Sequence, residues 1–152
     1  MTPQDFIATL TPAAVDSAKM TKIPASFVLA DAALESAWGS SQLTVQARNL
    51  FGVKADASWD GPILQMVTRE FYKGHWCRTT ADWRKYDTWA EAINDHALFL
   101  LTNPRYKPAF SHCDDSEAFA RAVSAAGYAT DPQYAEKVCS IIRKYDLTRI
   151  DV

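Results

Sequence analysis

Five glutamates stand in this chain, and their places along predicted helices and strands sort them by the chemistry open to them. Glu91 and Glu117 fall at the third position of predicted helices and Glu136 in the first turn of another. Free N–H groups and the positive end of the helix dipole favour a carboxylate there, so a structural role accounts for all three. Glu35 is placed the opposite way, in the last turn of a predicted helix, one turn after Asp31 and beside Trp38. Each of these neighbours disfavours ionisation, which predicts a raised pKa, the property a general acid needs at neutral pH. Glu70 is the second oddity, because glutamate is depleted in strands and this one follows Thr68 on one face of a predicted hairpin. The bland reading of Glu70 is an edge charge that blocks aggregation. Asp31 and Glu35, at (i, i+4), project side by side from one helix, whereas the carboxylates of a glycosidase flank the scissile bond. Glu70, on a separate element across a cleft, is therefore the candidate partner. Asp31 reads as a modulator of Glu35 or as a solvated charge.

The elements that must position these groups follow from caps and periodicity. Thr2-Pro3 and Thr11-Pro12 predict two short helices, near 3–10 and 12–20. A longer helix is predicted from Pro24 to Trp38, with Phe27, Ala30, Leu34 and Ala37/Trp38 facing inward and Gly39 as its stop. Residues 40–62 read as irregular. Ile63 to Phe71 and His75 to Trp83 read as the two strands of a hairpin turned at Tyr72-Lys73-Gly74. Thr88-Trp89-Ala90-Glu91 is a capping box opening a helix that buries Ile93, Ala97, Leu100 and Leu101 before Asn103-Pro104. Asp114/Asp115 to Ala126 and a last helix opened by Asp131-Pro132 complete the chain. Trp83, Trp89 and Phe99 read as core. The pattern is a single domain over 1–152, mostly helical, with one β-hairpin inserted mid-chain.

Composition narrows the class. A chain of 152 residues with 48% hydrophobic and 22% charged residues buries roughly 68–70% of its unfolded surface without disulfide or metal staples. Disorder is excluded, and no apolar run approaches the ~20 residues needed to span a bilayer. A net charge of −2 offers no basic stripe for phosphates, so nucleic acid is not the expected partner. Cys77, Cys113 and Cys139 form no C-x-x-C, and His75 and His112 beside two of them gain no third ligand at a usual spacing, so neither metal nor cofactor is expected. Nucleophile elbows, H-E-x-x-H and phosphate-cradling glycine loops are missing from the sequence. Met1 to Phe6 has neither the basic nor the apolar region of a secretory signal, so the chain reads as cytoplasmic, as already processed, or as made in the cytoplasm and exported by another route.

The segment Ala32-Ala33-Leu34-Glu35-Ser36-Ala37-Trp38-Gly39, followed by Asn49-Leu50-Phe51-Gly52-Val53-Lys54, resembles glycoside hydrolase family 73, the peptidoglycan-cleaving N-acetylglucosaminidases. The resemblance continues in order through Thr68-Arg69-Glu70-Phe71, Trp83-Arg84-Lys85-Tyr86, Asn103-Pro104-Arg105-Tyr106 and Gly127-Tyr128-Ala129-Thr130-Asp131-Pro132-Gln133-Tyr134-Ala135. It implies a lysozyme-like α+β fold with a cleft between a helical lobe and a small β lobe. It further implies that Glu35 is the catalytic acid, that Glu70 is the base activating water, and that Tyr128 assists at the reacting sugar. The chain departs from the family in Ala37, where a small residue, often Gly, is usual, and in Asp31, where flagellar relatives commonly carry a neutral side chain.

The implied reaction is hydrolysis of the bond between N-acetylglucosamine and N-acetylmuramic acid, with substrate-assisted attack as the alternative to Glu70. A muramidase, a lytic transglycosylase and a non-catalytic wall-binding module are the competing readings. Sugar faces suit aromatic platforms, which makes Trp38, Phe51, Trp59, Tyr72, Trp76, Tyr106, Tyr128 and Tyr134 the candidates for substrate binding, with Asn49 as a polar contact. The implied partner is the peptidoglycan strand, met by a monomeric enzyme in the periplasm or wall. Two settings fit, a phage endolysin and an injected antibacterial effector, and the second demands an immunity protein that blocks the cleft.

Overall fold

The structure, a computed structural model, describes residues 1–151, and of Thr68 and Glu70 the backbone alone. Helix α1 runs unbroken from Pro3 to Thr21, with Thr2 accepting from the Asp5 amide as its cap. Two helices were expected here. Pro12 sits inside the single helix, and the buried stripe of Phe6, Ile7, Leu10, Ala14 and Ser17 continues past it. One lost backbone bond is outweighed by packing along that stripe.

Helix α2, Ala25–Glu35, is the centre of the molecule. Its residues 25–33 are all buried, and it packs against α1, α5 (Ser116–Ala125), α6 (Tyr134–Lys144) and the closing 3-10 turn at Leu147–Ile150. A helix apolar nearly all round belongs inside. It ends at Glu35, three residues before the expected Trp38, because Ala37 and Trp38 take left-handed φ of 51° and 58° ahead of Gly39 at 80°. The Trp38 amide donates back to Ala33 (2.8 Å), and the Ser36 hydroxyl both donates to Ala32 and accepts from Gly39. The turn that stops the helix thus begins directly after Glu35.

Helix α3, Gln42–Ala47, lies in the stretch read as irregular. Ser41 caps it through the Thr44 amide, a serine signal that the absence of a long apolar period obscured. Strands β1 (Ile63–Tyr72) and β2 (His75–Arg84) pair antiparallel in continuous register from Ile63↔Arg84 to Tyr72↔His75. Lys73 and Gly74, both at positive φ, make the two-residue turn whose twist matches such a ribbon. Lys54 adds an antiparallel bridge to Trp83 at the base of the hairpin. Helix α4, Trp89–Thr102, opens on Thr88 as expected and is followed by a 3-10 segment, Pro104–His112. The outcome is an α+β molecule with a helical body and a projecting β arm. Among the described residues no helix is long and apolar enough to cross a membrane.

Candidate active site

A cleft of about 970 Å³ opens between the helical body and the base of the hairpin. Leu34 and Glu35 at the end of α2 reach it, loop residues Phe51 to Lys54 and Arg84 form one side, and Asp95, His96 and Phe99 of α4 form another. Tyr128 to Asp131, Tyr134 and Lys137 complete the lining. Glu35 is solvent-accessible, yet the surrounding protein removes enough water to raise its pKa above the usual carboxylate value. That agrees in direction with its place at the negative end of a helix.

One turn below Glu35, Asp31 is completely buried. It is not a solvated charge. Tyr134 Oη donates to its Oδ1 (2.7 Å) and Tyr128 Oη to its Oδ2 (2.8 Å). Burial first, and then the charge of Glu35, push its pKa up to about 7 against the pull of the two phenols. His96 Nε2 lies 2.7 Å from Tyr128 Oη. With the single Tyr128 proton given to an ionised Asp31, its oxygen accepts from His96, which fixes the Nε2–H tautomer. Burial pushes His96 down to about 3, so this imidazole is neutral, and Phe51 stacks on it at 3.8 Å. Burial and the adjacent Asp31 likewise raise both phenols well above their ordinary value. The assembly is Glu35 over a buried Asp31, backed by two tyrosines and a histidine.

A second network stiffens the hairpin side. Arg84 donates to both oxygens of Asp95 (2.8 and 3.1 Å) and stacks 4.9 Å over Trp59, while Tyr86 Oη donates to the same carboxylate (2.6 Å).

The sequence-derived candidates divide sharply. Glu35, Phe51, Tyr128 and Tyr134 meet at the cleft. Trp38 instead packs between Phe6 and Tyr145, with ring centres 5.6 and 4.9 Å away, and Trp59 packs on Tyr86 with its indole N–H held by Pro62. Asn49 is buried, and its amide group bonds the Val53 backbone and the Arg84 carbonyl, so it pins the loop to the hairpin and has nothing left for a sugar. Tyr106 is buried behind Tyr128. Tyr72 and Trp76 stand exposed near the hairpin tip, away from the lining residues. The carboxyl of Glu70 lies outside the described residues; its backbone pairs with Cys77. Phe99, expected in the core, is 45% exposed and lines the cleft. Leu101, also expected to face inward, is 44% exposed. His96 was missed, although its place among Ile93, Ala97 and Leu100 on the inward face of α4 marked it as a buried polar group. Among the described residues no three His, Cys, Asp or Glu gather as a metal site.

A raised helix-borne carboxyl at the edge of a cleft, between a helical lobe and a β arm, is compatible with the general acid of a glycosidase-like site. Residues 11–147 match the family model described as mannosyl-glycoprotein endo-beta-N-acetylglucosaminidase. Peptidoglycan hydrolase FlgJ of Vibrio parahaemolyticus is 40% identical over 149 residues, which cover 95% of this chain and 48% of that protein. Exo-glucosaminidase LytG of Bacillus subtilis is 41% identical over 131 residues, 83% of this chain and 45% of that protein. The C-terminally truncated glycoside hydrolase domain of Salmonella typhimurium FlgJ matches with a TM-score of 0.82 at 38% identity, over 95% of this chain and 97% of that one. The chain belongs to this glucosaminidase family, glycoside hydrolase family 73. It spans about half the length of the curated relatives it matches.

Proposed function

We propose that the protein hydrolyses peptidoglycan at the β-1,4 bond between N-acetylglucosamine and N-acetylmuramic acid, with Glu35 as general acid. The observation that carries this is Glu35 itself, an accessible carboxyl at the cleft whose pKa is raised by burial. Its proton goes to the bridging oxygen as the bond to the anomeric carbon breaks through an oxocarbenium-like state, and water completes hydrolysis. Phe51 and Phe99 present apolar surface to the sugar faces. We read Tyr128 as a residue that orients the floor, because its hydroxyl is engaged by Asp31 and His96. The names of the relatives, a peptidoglycan hydrolase and an exo-glucosaminidase, support the substrate and the bond type. Such a substrate locates the action in the periplasm or wall. In the effector setting, an immunity protein has to fill this same cleft.

Two measurements test the reading. Mass spectrometry of digested sacculi should show N-acetylglucosamine at the new reducing end, whereas muramic acid or an anhydro-muramyl end would overturn it. Glu35→Gln should lower turnover by about 10²–10⁴-fold with the fold intact, and near-normal turnover would remove Glu35 from the role. In the same assay, an equal loss in Glu70→Gln assigns Glu70 as the base. A small loss assigns the attack to the substrate's own 2-acetamido group.

A further inference from the structure

The outer half of the hairpin carries a surface that the cleft chemistry leaves unused. In the continuous register, Arg69 stands directly opposite Arg78, and Phe71 opposite Trp76. Side chains alternate along each strand, so these four share one face of the ribbon. All four are exposed, Phe71 and Trp76 by 62% and 64%. The two rings meet edge to face at 5.3 Å, and the Arg69 guanidinium lies 5.1 Å over the Trp76 ring. Among the described residues neither arginine has a carboxylate within ion-pair distance. Like charges directly opposite each other destabilise a strand pair, and the edge-to-face rings and the cation–π contact offset part of that cost. Exposed aromatic rings set beside arginines are the composition of a binding face.

The occupant is constrained by where this face leads. No bulge interrupts the register, so Arg84 lies on the same face, and Arg84 lines the cleft. From Arg84 to Arg78 is six residues of β2, about 20 Å at roughly 3.3 Å per residue. An extended peptide of about five residues at roughly 3.5 Å each, together with its linkage to the sugar and the reach of an arginine, covers that span. Asp82, the acid between them on this face, accepts from Gln65 (3.2 Å) and keeps its charge, so carboxylates of the peptide are met at the arginine pair beyond it. We propose that the Arg69–Arg78 face of the hairpin binds the carboxylate-bearing stem peptide of the peptidoglycan strand whose sugars occupy the cleft. This rests on peptidoglycan being the substrate. The arginines pair the peptide carboxylates, and Phe71 and Trp76 cover its aliphatic parts.

The test uses the double variant Arg69→Gln/Arg78→Gln on two substrates, intact sacculi and glycan strands whose peptides have been removed by an amidase. The variant should cut intact material about fivefold more slowly at low substrate concentration, the worth of two exposed ion pairs. It should match the wild type on bare strands, and its defect should shrink as salt rises. Its thermal midpoint should change little, since relief of the like-charge pair offsets the lost contact of Arg69 with the Trp76 ring. Equal rates on both substrates overturn the proposal, and so does an equal loss on both, which would make the face a glycan platform. If the wild type ignores bare strands, the peptide is required outright and the loss on intact strands decides alone. If the wild type cuts neither, the substrate reading itself falls, an outcome distinct from every other.

Discussion

The cleft floor and the hairpin arm treat charge in opposite ways. On the floor, Asp31 is sealed from water and satisfied by two phenols, with a neutral His96 behind one of them. On the arm, Arg69 and Arg78 are exposed and face each other across the ribbon. A buried charge alters proton affinities and folding free energy together, because nothing screens it. An exposed pair leaves both nearly untouched and acts on what arrives from solution. The same chain therefore separates a floor that tunes proton affinities from an arm whose charges face solution.

Substitutions test that division, beginning with the largest. Asp31 has an ordinary pKa of 3.8 and stands near 7 when folded, so the native chain keeps a proton that the unfolded chain gives up across that window. Stability therefore falls as pH rises from about 4 to about 7. Asp31→Asn should remove this penalty and stabilise the protein by about 4 kcal/mol at pH 8, at 1.36 kcal/mol per pKa unit, with little gain at pH 4. Denaturant titrations at the two pH values check it, and a destabilised variant at pH 8 would break the comparison. His96 has the opposite sign. Depressed from 6.5 to about 3, it refuses a proton that the unfolded chain binds, so its contribution is lost as pH falls through that range. The two slopes nearly cancel between pH 4 and 6.5. Asp31→Asn should unmask the histidine as a loss of about 1.4 kcal/mol per pH unit on acidification.

The same variant has a kinetic signature. Burial raises the pKa of Glu35, and it is the Glu35 charge that raises that of Asp31, so Glu35 gives up its proton while Asp31 is still neutral. The alkaline limb of kcat/KM should therefore stay in place in Asp31→Asn. A limb displaced to lower pH would show that Asp31 is charged while Glu35 still holds its proton. Tyr134→Phe deletes one bond to the buried carboxyl and should cost about 1.5–3 kcal/mol at pH 8. Smallest of all, Trp76→Ala on the arm should change stability by under about 0.5 kcal/mol and leave the pH profile alone.

The sequence made some of this legible and hid the rest for identifiable reasons. Two capping signals hold, Thr2 and Thr88, each of which caps a helix as expected, while Thr11 falls inside α1. The hairpin followed from Lys73-Gly74 and its β-rich flanks. Pro12 misled because packing along α1 overrides one missing donor. Glu35 stood out by being at the wrong end of its helix, a property of sequence alone. Asp31, Tyr128 and Tyr134 stand out in the sequence as well and His96 does not, but the way the four join, from four segments, exists only in the fold. Asn49 and Trp38 looked like ligand contacts because polarity and aromaticity near a motif do not reveal whether a side chain holds a loop, fills a core or faces a cleft. Asn49 holds a loop and Trp38 fills a core.

Helix α2 receives its missing N-terminal cap from far away. Pro24 offers no side-chain bond, and no acid lies in the first turn. Asp151 fills the gap, accepting from the Ser26 amide at 2.9 Å and from the Ser26 hydroxyl across 125 residues of chain. A protein is made from its N-terminus onward at about 5–20 residues per second, so the helix that presents Glu35 emerges early and waits several seconds for its last partner. The acid-bearing element is locked only once Asp151 has been made, and the loss of Asp151 would leave Glu35 on a helix with an uncapped start.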